Sequence, residues 1–403
     1  MSTVGLPSFT TGAPNSDKLK IGLIGCGGRG TGAANQAMNA DSNVEFWALA
    51  DVFPEQIAKS LEVLQKTNPD KLNVPKSRQF TGLDAYQKLL DSGVDVVLLG
   101  TPPGFRPLHL KACIDAGKHV FAEKPVAVDA PGVRSVLATA ELAKKKNLSI
   151  VSGLCWRYEP GMQETIKRLQ NGAIGTIQTL ESTRFLKGVA KLVKRTPEMT
   201  DVEHQIRNWY YYTWLSGDFY VEQFVHELDK LSWLMGQYPT GCTCSGGRAT
   251  RIEPEYGHVF DHFSAIFTYE NGVRYYAASR QQPGCDGQWQ DLAFGTEGQC
   301  NLMKYTITGK NPWRGPKTRA DMHQIEHDVM YSALRRGEVI NNGDYMAKST
   351  LMGIMARQSA YTGKELTWAQ MLNSQESLVP EKLDWNMKLA EPPVARPGVT
   401  PFS

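Results

Sequence analysis

The 403-residue chain is expected to be α/β, with a doubly wound parallel sheet followed by an α+β region whose sheet is mostly antiparallel. Two observations predict this. From about residue 19 to 150, short Val/Ile/Leu-rich runs alternate with helical stretches, the pattern of parallel strands joined by crossover helices. Past Cys155 the alternation stops, and apolar runs at 263–269 and 273–279 flank Glu270-Asn271-Gly272, a hairpin signal.

Taken in order, buried strands are expected at 20–24, 44–50, 94–99, 119–122 and 149–153, with a weaker one near 77–80. Each is a continuous apolar run, as a sheet covered on both faces requires. Helices fall between them at 29–40, 54–66, 83–92, 106–116 and 130–146. The last ends on Lys144, Lys145 and Lys146, where cations meet the negative end of the helix dipole. In the second region, a helix at about 158–171 leads to a strand at 176–185, an aromatic irregular stretch and a helix at about 219–235. Asn271-Gly272 reads as a type I′ turn, so its flanking strands are antiparallel. Late helices at about 322–336 and 343–361 precede a Pro-rich segment at 392–401. The resulting scheme is a flexible amino-terminal tail (1–17), a doubly wound domain (18–150), an α+β domain (151–375) and a carboxy-terminal tail (376–403).

Composition excludes several classes. With 41% hydrophobic and 21% charged residues, the chain reads as globular rather than disordered. Forty-four basic against 41 acidic side chains leave no electrostatic case for a nucleic-acid partner. No apolar run approaches the roughly 20 residues needed to span a bilayer. Seven cysteines without framework spacing argue against a disulfide scaffold, and the closest pair, Cys242 and Cys244, matches no zinc knuckle. Neutral charge and unpaired cysteines favour the cytoplasm. The Ser/Thr-rich first residues would also fit an exported enzyme, so compartment stays open.

The first strand runs into Gly25-Cys26-Gly27-Gly28-Arg29-Gly30 and then a helix, which is G-x-G-x-x-G in its working context. Gly25 permits the tight turn, Gly27 lets backbone approach a pyrophosphate, and Gly30 lets helix pack on strand. The helix amino terminus offers free N–H groups to phosphates. Twenty-one residues after Gly30, Asp51 ends the second strand, where its carboxylate can accept from both ribose hydroxyls. It would repel a 2′-phosphate, so the expected cofactor is NAD rather than NADP. Ligands bind at the carboxyl ends of such strands. There Gly100-Thr101-Pro102-Pro103 forms a rigid turn, and Glu123-Lys124-Pro125 places an amine that partial desolvation would ready for proton transfer.

In the second region Glu222, His226 and Asp229 share a helix face, a carboxylate one turn from an imidazole. The aromatic cluster Trp209-Tyr210-Tyr211-Tyr212 and Trp214 suits a sugar face, a partner subunit or buried loop packing. His323-Gln324-Ile325-Glu326-His327 has the inverted zinc-protease spacing, but no third ligand follows, so no metal is expected.

From residue 18 to about 374 the chain resembles the Gfo/Idh/MocA oxidoreductases. The stretches that carry the likeness are 21–30, Thr101-Pro102-Pro103 with His109, 117–125, the 222–229 helix, Glu326-His327 and Tyr361-Thr362-Gly363-Lys364-Glu365. The resemblance implies a Rossmann domain, then a domain with a large open sheet that serves a homodimer or homotetramer. It also implies a nicotinamide cofactor between the domains, and sugar, sugar-derivative or cyclitol substrates. It carries cofactor contacts to Gly25, Cys26, Gly27, Gly28, Arg29, Gly30, Asp51, Thr101, Pro102, Pro103, His109, Glu123, Lys124 and Arg157. Substrate contacts fall to Asp229, with Trp209 and Tyr211 as aromatic candidates. Lys124 and His226 become the expected catalytic groups, His226 as base oriented by Glu222, which stands where the family has aspartate. The lysine–proline bond is often cis in relatives. The leading function is an NAD-dependent sugar or cyclitol dehydrogenase. The alternative is a redox-assisted glycosidase or lyase working through a transient 3-keto sugar with bound NAD, although the His-Gly-Leu-Gly-Pro signature of one such branch is absent. A non-catalytic NAD-binding regulator is the third reading, weakened because Lys124 and His226 are both present.

Overall fold

A computed structural model describes residues 17–188, 192–316 and 320–402. Residues 1–16, nearly all of the expected amino-terminal tail, lie outside the described residues. The first lobe runs β1 (Leu19–Ile24), α1 (Gly28–Ala40), β2 (Val44–Asp51), α2 (Pro54–Thr67), β3 (Gln79–Thr81), α3 (Ala85–Asp91), β4 (Val96–Leu99), α4 (Arg106–Asp115), β5 (His119–Ala122), α5 (Ala130–Lys145) and β6 (Ile150–Ser152). Its six strands are ordered β3-β2-β1-β4-β5-β6 and pair in parallel, because every connection is a crossover that lays a helix on the sheet. Strand order reverses between β1 and β4, and a ligand crevice opens at the carboxyl ends beside such a reversal.

The second lobe continues with α6 (Pro160–Gln170), β7 (Ile177–Leu186), α7 (Asp201–Arg207), α8 (Thr213–Ser216), α9 (Phe219–Glu222), α10 (Val225–Met235), β8 (Gly241–Gly247), β9 (His262–Thr268), β10 (Arg274–Gln281), β11 (Gln288–Gly295), β12 (Gly298–Asn301), β13 (Thr306–Gly309), β14 (Trp313–Arg314), α11 (Met322–Arg335), α12 (Gly343–Thr362), β15 (Leu366–Thr367) and α13 (Trp368–Asn373). Its nine-stranded sheet, ordered β14-β13-β12-β11-β7-β10-β9-β8-β15, is mixed. Only β7 and β10 run parallel, and the other neighbours are antiparallel.

Three details differ from the sequence reading. The helix expected at 219–235 is two helices, α9 and α10, interrupted at Gln223 and Phe224. The β9–β10 turn is not type I′, which needs positive φ at both central residues. Gly272 (φ 81°) is the turn's positive-φ residue, and Tyr269 N–H bonds Val273 O at 3.0 Å. This is the three-residue loop with a left-handed glycine. Finally, α11 returns to the first lobe: Met330, Tyr331, Ala333 and Leu334 share a core with Leu19, Ile21 and Ala33. Gln324 Nε2 also donates to Gln36 O at 3.0 Å, and Arg335 pairs with Asp41 at 2.7 Å. No described helix is long and apolar enough to cross a membrane.

Packing places His109, His258 and His327 deep inside. Burial, reinforced by nearby arginines, lowers the pKa of His109 to about 3, His258 to about 4 and His327 to about 3. Their folded values lie below the unfolded value near 6.5, so the unfolded chain binds more protons as pH falls. The stability they contribute is present above about pH 6.5 and lost on acidification. Once pH is below about 6, the combined loss should approach roughly 4 kcal/mol per pH unit. Denaturant unfolding at pH 7 and pH 5.5 measures it, and equal stability at the two values would refute neutral burial of these rings.

Candidate active site

The site begins where β1 ends. Gly25 turns the chain at φ 94°, with its N–H on Ala50 O at 2.8 Å, and α1 starts three residues later. The glycines there have different jobs. A Cβ on Gly30 would lie 2.0 Å from Gly25 O, so Gly30 lets α1 pack on the turn. A Cβ on Gly27 or Gly28 would meet no protein atom within 4 Å. Those two leave space that the protein does not fill. α1 also lacks a side-chain N-cap bond and an acidic residue in its first turn, so its amino-terminal amides are open to an anion. The turn thus fits the pyrophosphate of a dinucleotide.

Asp51 stands at the end of β2. Its Oδ2 accepts from Cys26 N–H at 2.7 Å and its Oδ1 from Phe53 N–H at 2.9 Å. Burial raises its pKa above the usual carboxylate value, against the lowering effect of those N–H groups. It therefore shapes the turn while facing a cavity of about 360 Å³. Gly25, Gly27, Gly28, Arg29, Thr101, Pro102, His109, Glu123 and Lys124 also line that cavity. Cys26 does not line it: its buried thiol approaches Ala50 O at 3.6 Å, and burial drives its pKa far up. Pro103 is buried in the following turn, outside the lining. Thr101 Oγ1 lies 3.4 Å from His109 Nδ1, and the His109 ring sits between Phe105 and Tyr86. The second lobe closes the cavity with Val193, Ile206, Arg207, Trp209 and Glu222.

Within the cavity lining the lobes are joined by charge. Lys124 Nζ donates to Glu222 Oε1 at 2.8 Å and to Glu222 O at 2.7 Å. That carbonyl is available because α9 stops at Glu222 instead of running into α10. The carboxylate expected to orient His226 is therefore held by Lys124. The Lys124–Pro125 peptide is cis, and Arg106 Nη1 donates to Pro125 O. Glu123, almost fully buried, lies 2.9 Å from Arg29 Nε. His226 sits near the first turn of α10, and its buried Nδ1 has no protein hydrogen-bond partner among the described residues. Burial, then the positive charges of Lys124, Arg184 and Lys230, push its pKa well below the ordinary imidazole value. It is neutral at physiological pH, and it stands outside the residues that line the cavity.

Other expected contacts fall elsewhere. Asp229 forms a buried pair with Arg157 (2.9 Å), and Ser349 Oγ donates to it at 2.8 Å; neither Asp229 nor Arg157 lines the cavity. Trp209 lines the dinucleotide cavity, whereas Tyr211 packs between Tyr210 and Tyr256 and lines a separate cavity with Arg251 and Gln281. His327 lies tilted against Phe121 with ring centroids 4.2 Å apart, and His323 Nδ1 lies 3.4 Å from the buried Glu326. Among the described residues, no group of three His, Cys, Asp or Glu is placed to hold a metal. The sequence reading missed Arg207, which lies over the Phe53 ring at 3.9 Å and pairs with Glu55 at 2.6 Å beside the cavity. It also missed Arg184, whose charge acts on His226. Nothing local marks either, since both depend on residues far away in the chain.

Comparison with known proteins bears on family and fold. Residues 19–152 match the model of the oxidoreductase family with an NAD-binding Rossmann fold, and residues 162–300 match the Gfo/Idh/MocA carboxy-terminal domain. A myo-inositol 2-dehydrogenase of Thermotoga maritima is 24% identical over 248 residues, 62% of this chain and 64% of that protein. A glycosyl hydrolase family 109 protein of Shewanella pealeana is 25% identical over 212 residues, 51% of this chain and 43% of that protein. The chain thus spans less than two thirds of either relative's length. The crystal structure of an aldose–aldose oxidoreductase from Caulobacter crescentus, complexed with glycerol, superposes with a TM-score of 0.67. At 17% identity it covers 87% of this chain and 99% of that one, a likeness of fold.

Proposed function

The chain belongs to the Gfo/Idh/MocA family of NAD(P)-binding oxidoreductases, and we propose that within it this protein oxidises a secondary hydroxyl of a sugar, sugar derivative or cyclitol with NAD. The observation that carries this reading is the Lys124–Glu222 contact, which joins an amine of one lobe to the other within the lining of a cavity that also includes the open glycine turn. A bound nicotinamide would supply the hydride acceptor. His226, kept neutral by burial and neighbouring cations, takes the hydroxyl proton on its imidazole. Lys124 donates a hydrogen bond to the same oxygen and favours the developing alkoxide. Glu222 holds the lysine nitrogen in place through two acceptors. A panel of polyols and sugars incubated with pure protein and NAD, followed at the NADH absorbance, tests the reading. No NADH with any of them would count against it.

Asp51 supports NAD over NADP, because its carboxylate faces the cavity from the end of β2. Replacing Asp51 with serine should raise KM for NAD and reduce the NAD/NADP preference by about 10- to 100-fold, the worth of one or two charge-assisted hydrogen bonds. An unchanged preference would separate Asp51 from the ribose.

The glycosyl hydrolase relative favours one second reading, a transient oxidation that allows bond cleavage without net NADH. Aryl glycosides assayed with and without added NAD distinguish the two, since cleavage without NADH accumulation selects the second. We also expect a dimer or tetramer through the outer face of the nine-stranded sheet, where Tyr276 is exposed; light scattering reads the mass.

A further inference from the structure

The amino-terminal end of β11 carries a tryptophan that the fold leaves half outside. Trp289 is 46% exposed, although burial of so large a ring would ordinarily be favourable. It is also held firmly. Its Nε1 donates to Glu227 Oε1 at 3.0 Å, and its cross-strand neighbour Arg184 lies 4.7 Å from the ring centroid. Arg184 Nη1 in turn donates to Glu227 at 3.0 Å. Trp156 meets Trp289 edge to face, with centroids 6.1 Å apart and planes at 83°. Lys230, fully buried and paired with Asp291 at 2.5 Å, lies 4.6 Å from the Trp156 ring.

A fully buried Lys230–Asp291 pair and a mostly buried Arg184–Glu227 pair therefore hold two indoles at right angles. Glu227, their shared anchor, is the residue after His226, and the charges of Arg184 and Lys230 are both felt at the His226 ring. Arg184 Nε and His226 Nδ1 are buried polar atoms without a protein partner among the described residues. A rigid, half-exposed aromatic plane beside unsatisfied polar atoms suits a ligand with one apolar face and a polar edge. Cyclic sugars and cyclitols have that shape, because their axial C–H bonds make an apolar face and their hydroxyls a polar rim. Acyclic polyols present no such fixed face.

We propose that Trp289, backed by Arg184, is the subsite that receives the ring face of a cyclic sugar or cyclitol and so directs one ring hydroxyl toward His226 and Lys124. This rests on the dehydrogenase reading for the chemistry, but not for the binding. Trp289 sets substrate preference.

The test uses NAD-loaded protein, with methyl β-D-glucopyranoside and myo-inositol as cyclic probes and glycerol as the acyclic one. Binding is read by calorimetry and saturation-transfer NMR, and turnover by NADH formation. Wild type should bind at least one cyclic probe at least tenfold more tightly than glycerol. Trp289→Ala should lose that tenfold while its melting temperature and NAD binding stay unchanged, and Trp289→Phe should keep most of it. Where NADH forms, Trp289→Ala should raise KM for the cyclic probe far more than it lowers kcat. Equal binding of the cyclic probes to wild type and Trp289→Ala overturns the subsite, as does failure of both cyclic probes to bind wild type. Cyclic binding that depends on Trp289 but yields no NADH upholds the subsite and counts against the dehydrogenase reading. NADH formation with an unchanged KM in Trp289→Ala does the reverse.

Discussion

Replacing Lys124 with alanine is expected to lower kcat/KM by about 10³-fold, within the range typical of a positioned acid–base group, while dinucleotide binding stays close to wild type. The separation follows from the geometry. The dinucleotide is expected to be held by the glycine turn, the α1 amides and Asp51, none of which bonds to the lysine ammonium. Nζ lies against the Glu222 carbonyl and carboxylate. A second readout follows from the charge. Lys124 is the largest single neighbouring charge that lowers the His226 pKa, so its removal lets that pKa rise. The acidic limb of the kcat/KM profile, below which the base is protonated, should then move to higher pH. Lys124→Met, which keeps the aliphatic stem, separates loss of charge from loss of packing. Full turnover in either variant would remove Lys124 from the reaction. Lost NAD binding would show instead that the lysine serves the cofactor.

The first lobe was readable because its signals are local. Continuous Val/Ile/Leu runs such as 96–99 need burial on both faces, and a glycine turn between strand and helix carries its own geometry. The second lobe was less so. No glycine or proline marks the break between α9 and α10, since Gln223 and Phe224 are both acceptable in a helix. Tertiary contacts impose it: Gln281 Nε2 donates to Gln223 Oε1 at 2.7 Å, and Lys124 takes the Glu222 carbonyl. The same blindness affected Asp229. It shares α10 with His226 but not with Glu222, and its partner Arg157 lies 72 residues away in a pairing that fills both of its oxygens. Arg184 and Trp289 face each other only because β7 and β11 pair antiparallel, a register that no short window contains. A helix was expected at about 322–336, but nothing in that stretch could show that it packs on the first lobe rather than the second.

Gly27 and Gly30 belong to one motif, yet alanine should affect them in opposite ways. At Gly30 a new Cβ would lie 2.0 Å from Gly25 O and 3.2 Å from Leu23 Cδ1, with the backbone of a tight turn as the obstacle. The turn cannot yield without moving β1, so Gly30→Ala should cost about 3 kcal/mol or more by overpacking and lower the yield of folded protein. At Gly27 the new Cβ meets no protein atom within 4 Å, and φ −68° with ψ 178° is comfortable for alanine. Gly27→Ala should therefore melt within a few degrees of wild type. Its methyl would project where a pyrophosphate must approach the backbone, so NAD affinity should fall by at least about tenfold. Thermal unfolding and NAD titration on the two variants give both numbers. A Gly30→Ala protein as stable as wild type would contradict the packing role. A Gly27→Ala protein that binds NAD normally would mean that the dinucleotide does not lie across this turn, and the chemistry assigned to Lys124 and His226 would lose its cofactor.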